Sequence, residues 1–548
     1  MYTFSSRLKT LAFVLMALGI IGIGYSFFTA PKTIEDVKKI MADDHAHHGG
    51  HDSGAHGDPA SNAHVHKTQD VHSQNAGHAA PTAESTVVEH SPEKAAHAEH
   101  DSVQGIAGEQ GHEAASTVAS AGLDEKSPTG DAADTHKDET HDHATHAGEA
   151  HTDEHAGHDH EAHASHDTHG AEAHDAHHDE DHHAEHMLGQ LKNKPWAAVY
   201  VAALFFMLIS LGTLAFYAIQ NAAQAGWSPV LFRVMEGITS YLIPGAIIVF
   251  LLLVAGVMDM HHLFIWMDDA VVEKDALMKA KSGYLDETFF LIRAALFMGG
   301  WILYRQYSRK NSLAQDDATD NLPYKRNFKA SAGFLVFFIV TESIMSWDWI
   351  MSVDPHWYST LFGWYVFASF VVSAVTVIAL VALYLKSVGY LEYVNNSHIH
   401  DLAKFMFGFS VFWTYLWFSQ FMLIWYADIP EEIVYFKMRI ENYNLPFFGL
   451  VVMNFVLPIL ILMNSDFKRL SWIIVMAGII ILCGHYMDFY TMIMPATVGD
   501  QWFIGAGELG ALCFFFGLFI FVVFTALTKA PLLAKRNPLI EESKHFHY

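Results

Sequence analysis

Two ionisable side chains lie deep within apolar stretches that are long enough to cross a membrane. Arg293 is seven residues into the fourth such stretch, and Glu342 is about eight residues before the end of the fifth. Because a helix rises about 1.5 Å per residue, both should lie roughly 10–12 Å below the same membrane surface. Charged groups at that depth are rare, usually paired and often functional. We expect an Arg293–Glu342 ion pair, which is either purely structural or part of a proton path.

A histidine and an aspartate in the ninth apolar stretch form a second candidate site. His485 and Asp488 are three residues apart and therefore share one face of a helix. A carboxylate beside an imidazole can pass protons near neutral pH. The alternative is a core histidine that is hydrogen-bonded for stability alone. Gln420 adds a polar group in the corresponding half of the seventh stretch.

The connection between the fifth and sixth stretches has an unusual composition. Residues 341–363 read TESIMSWDWIMSVDPHWYSTLFG. Proline disfavours helical geometry in the residue before it, so Asp354 should mark a break in the helix. Tryptophan and tyrosine collect where hydrocarbon meets water, which predicts a hairpin at the membrane surface. Asp348, between two tryptophans, is a further candidate for the proton path.

The loop from Asp259 to Asp286 lies on the same side of the membrane as this hairpin. It mixes apolar and charged residues, which predicts a short helix along the membrane surface. Asp259 and His261, at its start, complete the candidate set. Toward the opposite surface we find only milder polar groups, namely Glu236 with Thr239 and Ser240, Ser373 with Thr376, and Asn464. A continuous proton path across the membrane is therefore not apparent from sequence.

Ten apolar stretches position these residues and predict an all-α integral membrane protein. Each is near the ~20 residues that cross a ~30 Å hydrocarbon core. We number them spans 1 to 10, with predicted limits 8–29, 196–218, 238–258, 286–305, 329–349, 361–386, 402–425, 446–464, 471–492 and 507–528.

The remaining sequence divides into segments of very different composition. Residues 1–30 predict an N-terminal anchor, uncleaved because Pro31 and Phe28 do not suit a cleavage site. Residues 31–190 hold 30 of the 38 histidines and little apolar surface, which predicts disorder. Residues 191–530 form the nine-span membrane domain, and 531–548 a C-terminal tail. The net charge of −27 arises almost entirely in the His-rich segment, so it does not indicate a nucleic-acid partner.

Charge asymmetry predicts the orientation of the spans. With the N-terminus in the cytoplasm, the cytoplasmic segments hold 17 lysines and arginines, and the short loops on the other side hold five. Cytoplasmic loops carry the excess of positive charge. Both termini should therefore be cytoplasmic, and the His-rich segment and the Asp354 hairpin should face the periplasm. The membrane would be the inner membrane of a bacterium.

The residue inventory does not predict a redox centre within this chain. The only cysteines are Cys483 and Cys513, and there is no haem-attachment or iron–sulfur spacing. Among the histidines of the spans, only His485 lies well inside, whereas a membrane b-haem needs two. Histidine clusters in the His-rich segment could bind zinc, copper or nickel weakly, but we expect no defined metal site.

Three segments carry a family resemblance. HHLFIWMDD (261–269), KSGYLDETFFLIR (281–293) and SWDWIMSVDPHWYSTLFGWY (346–365) resemble the ActF subunit of bacterial alternative complex III, a quinol:cytochrome c oxidoreductase. This subunit, often named quinone-binding subunit 2, is similar to the NrfD-type membrane subunit of polysulfide reductase. The resemblance covers all ten spans. It implies two four-helix bundles, spans 2–5 and 6–9, with spans 1 and 10 outside them.

The resemblance also implies partners and a role. The partners would be a sister NrfD-like membrane subunit, an iron–sulfur subunit, multihaem and monohaem cytochrome c subunits and, in some assemblies, a terminal oxidase. Haem c and iron–sulfur clusters would lie in those partners. The better-supported quinol pocket would lie in the sister subunit, which leaves open whether this chain binds quinone. The expected role is a non-catalytic scaffold that takes part in proton translocation.

Two other classes of function remain open at this stage. A ten-span secondary transporter, for metal ions or coupled to protons, suits the buried charges, although discontinuous helices are not evident in the sequence. A purely structural assembly subunit is the second alternative. Co-purification with cytochromes and iron–sulfur proteins separates the oxidoreductase readings from the transporter.

The orientation gives a direct prediction. In cells with a permeabilised outer membrane, a cysteine introduced near Asp354 should react with a membrane-impermeant thiol reagent, because the hairpin faces the periplasm. A cysteine near Lys310 should not react until the inner membrane is opened. The opposite labelling pattern would invert the predicted topology.

Overall fold

The computed structural model describes residues 2–48 and 169–547, and side chains from 2–41 and 183–547. No strand occurs in these ranges, and the regular elements are all helices. The ten spans predicted from the sequence are present as helices long and apolar enough to cross a membrane. In chain order they are Ser6–Thr29, His183–Ala222, Pro229–Val257, Glu287–Asp317, Leu322–Val353, Phe362–Ser387, Asn396–Ala427, Asn444–Leu462, Ser471–Val498 and Ala506–Leu527.

Several helices are longer than their apolar stretches. Span 4 continues to Asp317, twelve residues beyond its predicted limit, and carries polar residues in that extension. The helix of span 2 begins as early as His169. A hydropathy pattern marks only the part of a helix that fits hydrocarbon, so polar extensions are missed.

Span 2 is the centre of the protein. Its apolar part is 94% buried inside the protein, against 11% for span 1. It packs against spans 3, 5, 6, 9 and 10. In two sets of four consecutive spans, the fourth helix also packs against the first. Spans 2 to 5 pack in a ring of neighbours, and so do spans 6 to 9.

Span 1 packs chiefly against span 10, along a row of small residues. A side chain at Gly22 or Gly510 would collide with the backbone of the facing helix, within 2.8 Å. Glycine therefore allows the two helices to approach closely, as small residues often do between membrane helices. The opposite face of span 1 is exposed and apolar, with Leu18 and Ile21 as examples.

The two ends of the helix assembly can be named by what they hold. We call the end with both chain termini the termini end, and the opposite end, with the hairpin between spans 5 and 6, the hairpin end. The short helix expected between Asp259 and Asp286 is found as two, Asp269–Val272 and Ala276–Lys281. Both are N-capped by an aspartate side chain that accepts backbone N–H bonds.

The loop with these two helices is fastened to the hairpin. The Lys281 ammonium donates a 2.5 Å hydrogen bond to the Pro355 carbonyl, and His356 lies 2.5 Å from the Asp275 carboxylate. The Met278 amide and the His356 side chain hold the pKa of Asp275 below its usual range. The loop and the hairpin therefore form one surface at this end.

The C-terminal residues pack against the termini end. Ser543, in the short helix Ile540–Lys544, is fully buried, donates to the Trp227 carbonyl at 2.7 Å and accepts from the Val230 amide. The Asn395 side chain donates to the Phe546 carbonyl. The predicted tail 531–548 is thus an integral part of the fold.

The expected disorder of residues 31–190 does not hold at the two ends of this segment. Residues 34–48 form a helix (Ile34–His48), and the helix of span 2 extends back through 169–190. Val37 packs against Ala184 and Leu188 and is fully buried. The two helices therefore pack against each other through apolar side chains. Residues 49–168, with most of the histidines and their predicted weak metal binding, lie outside the described residues.

Candidate functional site

The first buried polar cluster lies at the hairpin end between spans 4 and 5. Asp348 is fully buried and accepts two bonds from the Arg293 guanidinium, from Nε at 2.7 Å and from Nη2 at 3.1 Å. The Tyr284 hydroxyl donates to the same carboxylate at 2.8 Å. The guanidinium also lies against the rings of Tyr284 and Phe289, 4.2 Å from each centroid. Bidentate, aromatic-flanked pairing is a favourable way to hold an arginine in an apolar environment.

The predicted Arg293–Glu342 ion pair is therefore wrong. The long arginine side chain extends toward the hairpin end, where Asp348 lies one residue from the end of the helix. Its partner is thus nearer the surface than a comparison of Cα depths suggests. Glu342 is 2% exposed and accepts only a 3.1 Å bond from Ser343, and its second oxygen has no hydrogen-bond partner among the described residues.

The two candidates at the start of the 259–286 loop have structural roles. Asp259 is a turn residue with φ of 60°, a conformation that aspartate tolerates, and it pairs with exposed His262. His261 is buried between the Leu252 carbonyl, to which Nε2 donates at 3.0 Å, and the Leu263 amide, which donates to Nδ1. Burial lowers the pKa of His261, which favours this neutral form. Both ring nitrogens are then satisfied.

The second cluster is built around Asp488, inside the ring of spans 6 to 9. Asp488 and His485 are both fully buried, and Nδ1 of the imidazole lies 3.6 Å from the carboxylate. Tyr365 of span 6 and Trp413 of span 7 donate to the two carboxylate oxygens, Trp413 at 2.8 Å. Ser369 Oγ lies 3.0 Å from His485 Nδ1. The predicted His485–Asp488 pair is thus present, with two donors that the sequence does not single out.

Arg439 lies beside this cluster on the helix Pro430–Glu441, which connects spans 7 and 8. It is buried and stacks on Tyr435, and its guanidinium donates to the carbonyls of Thr491 at 3.0 Å and Met492 at 3.3 Å. Pro495 explains this geometry. Proline has no N–H for the carbonyl four residues earlier, so Thr491 has a free acceptor that Arg439 takes up.

A lateral groove approaches the same region. It has a volume of about 270 Å³ and lies between the end of span 7 and the helix Pro430–Glu441. Its walls are apolar, and its charged members are Asp428, Lys437 and Glu441. Phe436, which packs edge-to-face on Phe421, also lines a small cavity of about 10 Å³. That cavity is lined by Tyr365, Trp417, Gln420, Tyr435, Phe436, Arg439, Phe447 and Thr491.

A third cluster lies at the termini end, and among its charged members the sequence analysis identifies only Glu236. Glu236 is buried and bonded to Arg233 at 2.9 Å and to Arg309. Arg233 also pairs with Asp316 at 2.7 Å. Tyr217 donates to Glu236 at 3.2 Å and so extends the cluster toward the membrane interior. Span 4 was predicted to end at 305, so Arg309 and Asp316 did not appear as membrane-span residues.

The C-terminal segment closes this third cluster. The Lys535 amide donates to Asp316 at 2.9 Å, and Gln315 donates to the Arg536 carbonyl at 3.2 Å. Two arginines and two carboxylates balance in charge, which reduces the cost of burying them. The expectation that this end holds only milder polar groups is therefore wrong, because it holds a cluster of four charged side chains.

Within the described residues, no group of three or more His, Cys, Asp or Glu side chains could hold a metal ion. Cys483 and Cys513 are both free thiols, the first exposed and the second partly exposed.

The Arg293–Asp348 pair yields a stability prediction. Arg293→Leu or Asp348→Leu alone should lower the free energy of unfolding by about 3–5 kcal/mol, because the remaining charge is stranded in low dielectric. The double variant should recover most of that loss. Denaturant titration of the purified protein in detergent measures all three.

An exposed ion pair provides the matched control. Lys544 and Glu541 lie 2.7 Å apart near the C-terminus with Glu541 largely exposed. Lys544→Leu should cost no more than about 1 kcal/mol. If Arg293→Leu costs no more than this control, the buried pair is not the stabilising contact described above.

A scan of this chain against models of known protein families finds no match, and a search of curated proteins finds none either. The buried clusters and the lateral groove therefore carry the functional proposal.

Proposed function

We propose that this chain is the integral membrane subunit of a bacterial respiratory quinol oxidoreductase of the alternative complex III type. It scaffolds the complex and conducts protons that are coupled to quinol oxidation. The observation that carries the proposal is the His485–Asp488 pair, an imidazole and a carboxylate 3.6 Å apart and fully buried within spans 6 to 9. Ionisable groups at such positions in membrane proteins typically mark proton or substrate pathways.

The polar clusters suit a proton path that is open from both ends. Arg233, Glu236, Arg309 and Asp316 lie at the termini end, while the Asp348 and Asp488 clusters lie toward the hairpin end. Glu342, with no ion pair among the described residues, can exchange a proton without breaking a salt bridge. We assign the hairpin end to the periplasm and both termini to the cytoplasm, on the charge asymmetry of the loops.

The packing favours two four-helix bundles, spans 2–5 and 6–9, with spans 1 and 10 paired beside them. Each bundle holds one fully buried aspartate with a tyrosine donor, Asp348 with Tyr284 and Asp488 with Tyr365. The His-rich segment between spans 1 and 2 is then a periplasmic insertion. Iron–sulfur and haem c centres would lie in partner subunits at the periplasmic surface formed by the 259–286 loop and the hairpin.

The lateral groove is the candidate quinol contact of this chain. An isoprenoid tail fits its apolar walls, and a quinol headgroup needs polar partners such as Gln420 and Arg439 behind them. Phe436 lines both spaces and packs edge-to-face on Phe421, so we expect passage from the groove to the cavity to require movement of Phe436.

One observation favours a second candidate, a secondary transporter. Span 8 is interrupted by a π-helical turn over Val452–Val456, although discontinuous helices are not evident in the sequence. Irregular helices line the binding sites of many transporters. The turn is short and the helix continues on both sides of it, so the oxidoreductase subunit remains the better-supported function.

The proposal predicts which cofactors co-purify with this chain. The chain, purified in mild detergent through a peptide tag added after Tyr548, should bring with it c-type haem and acid-labile sulfide in fixed ratio. Reduced-minus-oxidised absorption spectra and sulfide assay measure both, with the untagged strain as the control.

The transporter hypothesis predicts that these cofactors are absent from the preparation. The chain would then purify as a homogeneous particle that lacks haem and labile sulfide, and that result would refute the oxidoreductase proposal. Quinol:cytochrome c activity in the tagged preparation would support the oxidoreductase proposal further.

A further inference from the structure

The π-helical turn of span 8 has an identifiable cause. Pro458 follows it by two residues and cannot donate a hydrogen bond to the Asn454 carbonyl, four residues earlier. The Leu457 amide bonds instead to the Val452 carbonyl, which widens the turn. Such single π turns within α-helices are frequent at functional sites.

The wide turn places a polar side chain in an enclosed position. Asn454 is fully buried, and neither its amide oxygen nor its amide nitrogen has a partner within the part of the chain that the structure describes. The same holds for Ser410 Oγ and for His485 Nε2, on fully buried residues of spans 7 and 9. Buried polar groups are almost always hydrogen-bonded, so four such atoms in one bundle need an explanation.

Packing brings the three residues to one level of the bundle. A Cβ on Gly484 would lie only 2.0 Å from Asn454 Oδ1, so the asparagine rests directly on the helix of span 9, next to His485. Ser410 is one turn from Trp413, whose ring lies 5.4 Å from the His485 ring, and the two therefore share a face of span 7. Ser410 and His485 are each 14 residues into their helices, which start at the same end.

Neighbouring side chains do not supply the missing bonds. Ser373 and Thr376 of span 6 donate their hydroxyl protons to carbonyls of their own helix, at 2.8 and 2.7 Å. The Nδ1 side of His485 already faces Ser369 and Asp488. Only the inward Nε2 side is left without a partner in the described structure.

We propose that Asn454, Ser410 and the Nε2 side of His485 enclose a site for one or two bound water molecules. A buried water typically makes about three hydrogen bonds to otherwise unsatisfied polar groups, and this site offers donors and acceptors for that number. The water fixes the imidazole ring and links it toward the termini end. Asn454 is therefore a positioning residue for the proton pair. This role rests on the proposed function, whereas the water site itself does not.

The test begins with a structure at a resolution that shows ordered water. In the wild-type protein, density for water should lie within hydrogen-bond distance of Asn454 and of His485 Nε2. Asn454→Leu, which keeps the branched shape but is apolar, should remove it. Val452→Leu, on the exposed side of the same turn, is the matched control and should retain it. A dry wild-type site in such a map would overturn the proposal.

A second measurement separates the water site from its role. In proteoliposomes, Asn454→Leu should reduce the rate of proton translocation at least tenfold, because a correctly positioned acid–base group contributes about 10²–10⁴ in rate and His485 would lose its positioning. Asn454→Ser, which supplies a hydroxyl in place of the amide and leaves room for another water, should retain translocation. Water density combined with unaltered translocation in Asn454→Leu would refute the positioning role. If the complex shows no quinol-coupled translocation at all, the proposed function fails while the density still decides the water site.

Discussion

A charge buried in hydrocarbon must find a partner within the protein, and this constraint shapes the interior of the chain. An uncompensated ion there costs several kcal/mol, comparable to much of the net stability of a protein. Arg293 meets the constraint with Asp348, and Arg233 and Arg309 meet it with Glu236 and Asp316. Arg439 meets it with backbone carbonyls, one of which, that of Thr491, is left free by Pro495. The helices around each arginine are therefore fixed relative to one another.

Against this background, the groups without ionic partners stand out. Glu342 and the His485–Asp488 pair are buried, yet no arginine or lysine neutralises them within the described structure. The donors to Asp488 are neutral, a phenol and an indole, so these contacts leave its carboxylate without a cationic partner. Groups of this kind can change protonation state while the ion pairs around them keep the fold intact. Under the proposed function, stability and proton transfer thus rest on different residues.

Much of the architecture follows from sequence, because crossing a membrane imposes length and hydropathy on each helix. The ten spans and the His485–Asp488 spacing were predictable for that reason. The partner that a long side chain reaches was not predictable from helix depth. Arg293 extends past Glu342 to Asp348, and the helix of span 4 continues to Arg309 and Asp316 in a polar stretch without a hydropathy signal.

Two prolines could have extended the prediction. Pro458 and Pro495 lie inside apolar spans, and each removes one backbone bond from its helix. The consequences are the π turn that buries Asn454 and the free Thr491 carbonyl that binds Arg439. Which side chain takes up a freed carbonyl depends on tertiary packing, which the sequence of a single span does not contain. The orphaned atoms of Asn454, Ser410 and His485 could be recognised only in three dimensions.

The central claim is that the His485–Asp488 pair carries protons for quinol oxidation that takes place elsewhere in a complex. Parallel measurement of proton release and electron transfer in proteoliposomes, for the wild type and for Asp488→Asn, tests it most directly. The asparagine keeps the shape and can still accept from Tyr365 or Trp413, so the complex should assemble. The account predicts that quinol oxidation continues while proton translocation is lost. An Asp488→Asn complex that still releases as many protons per electron as the wild type would contradict it.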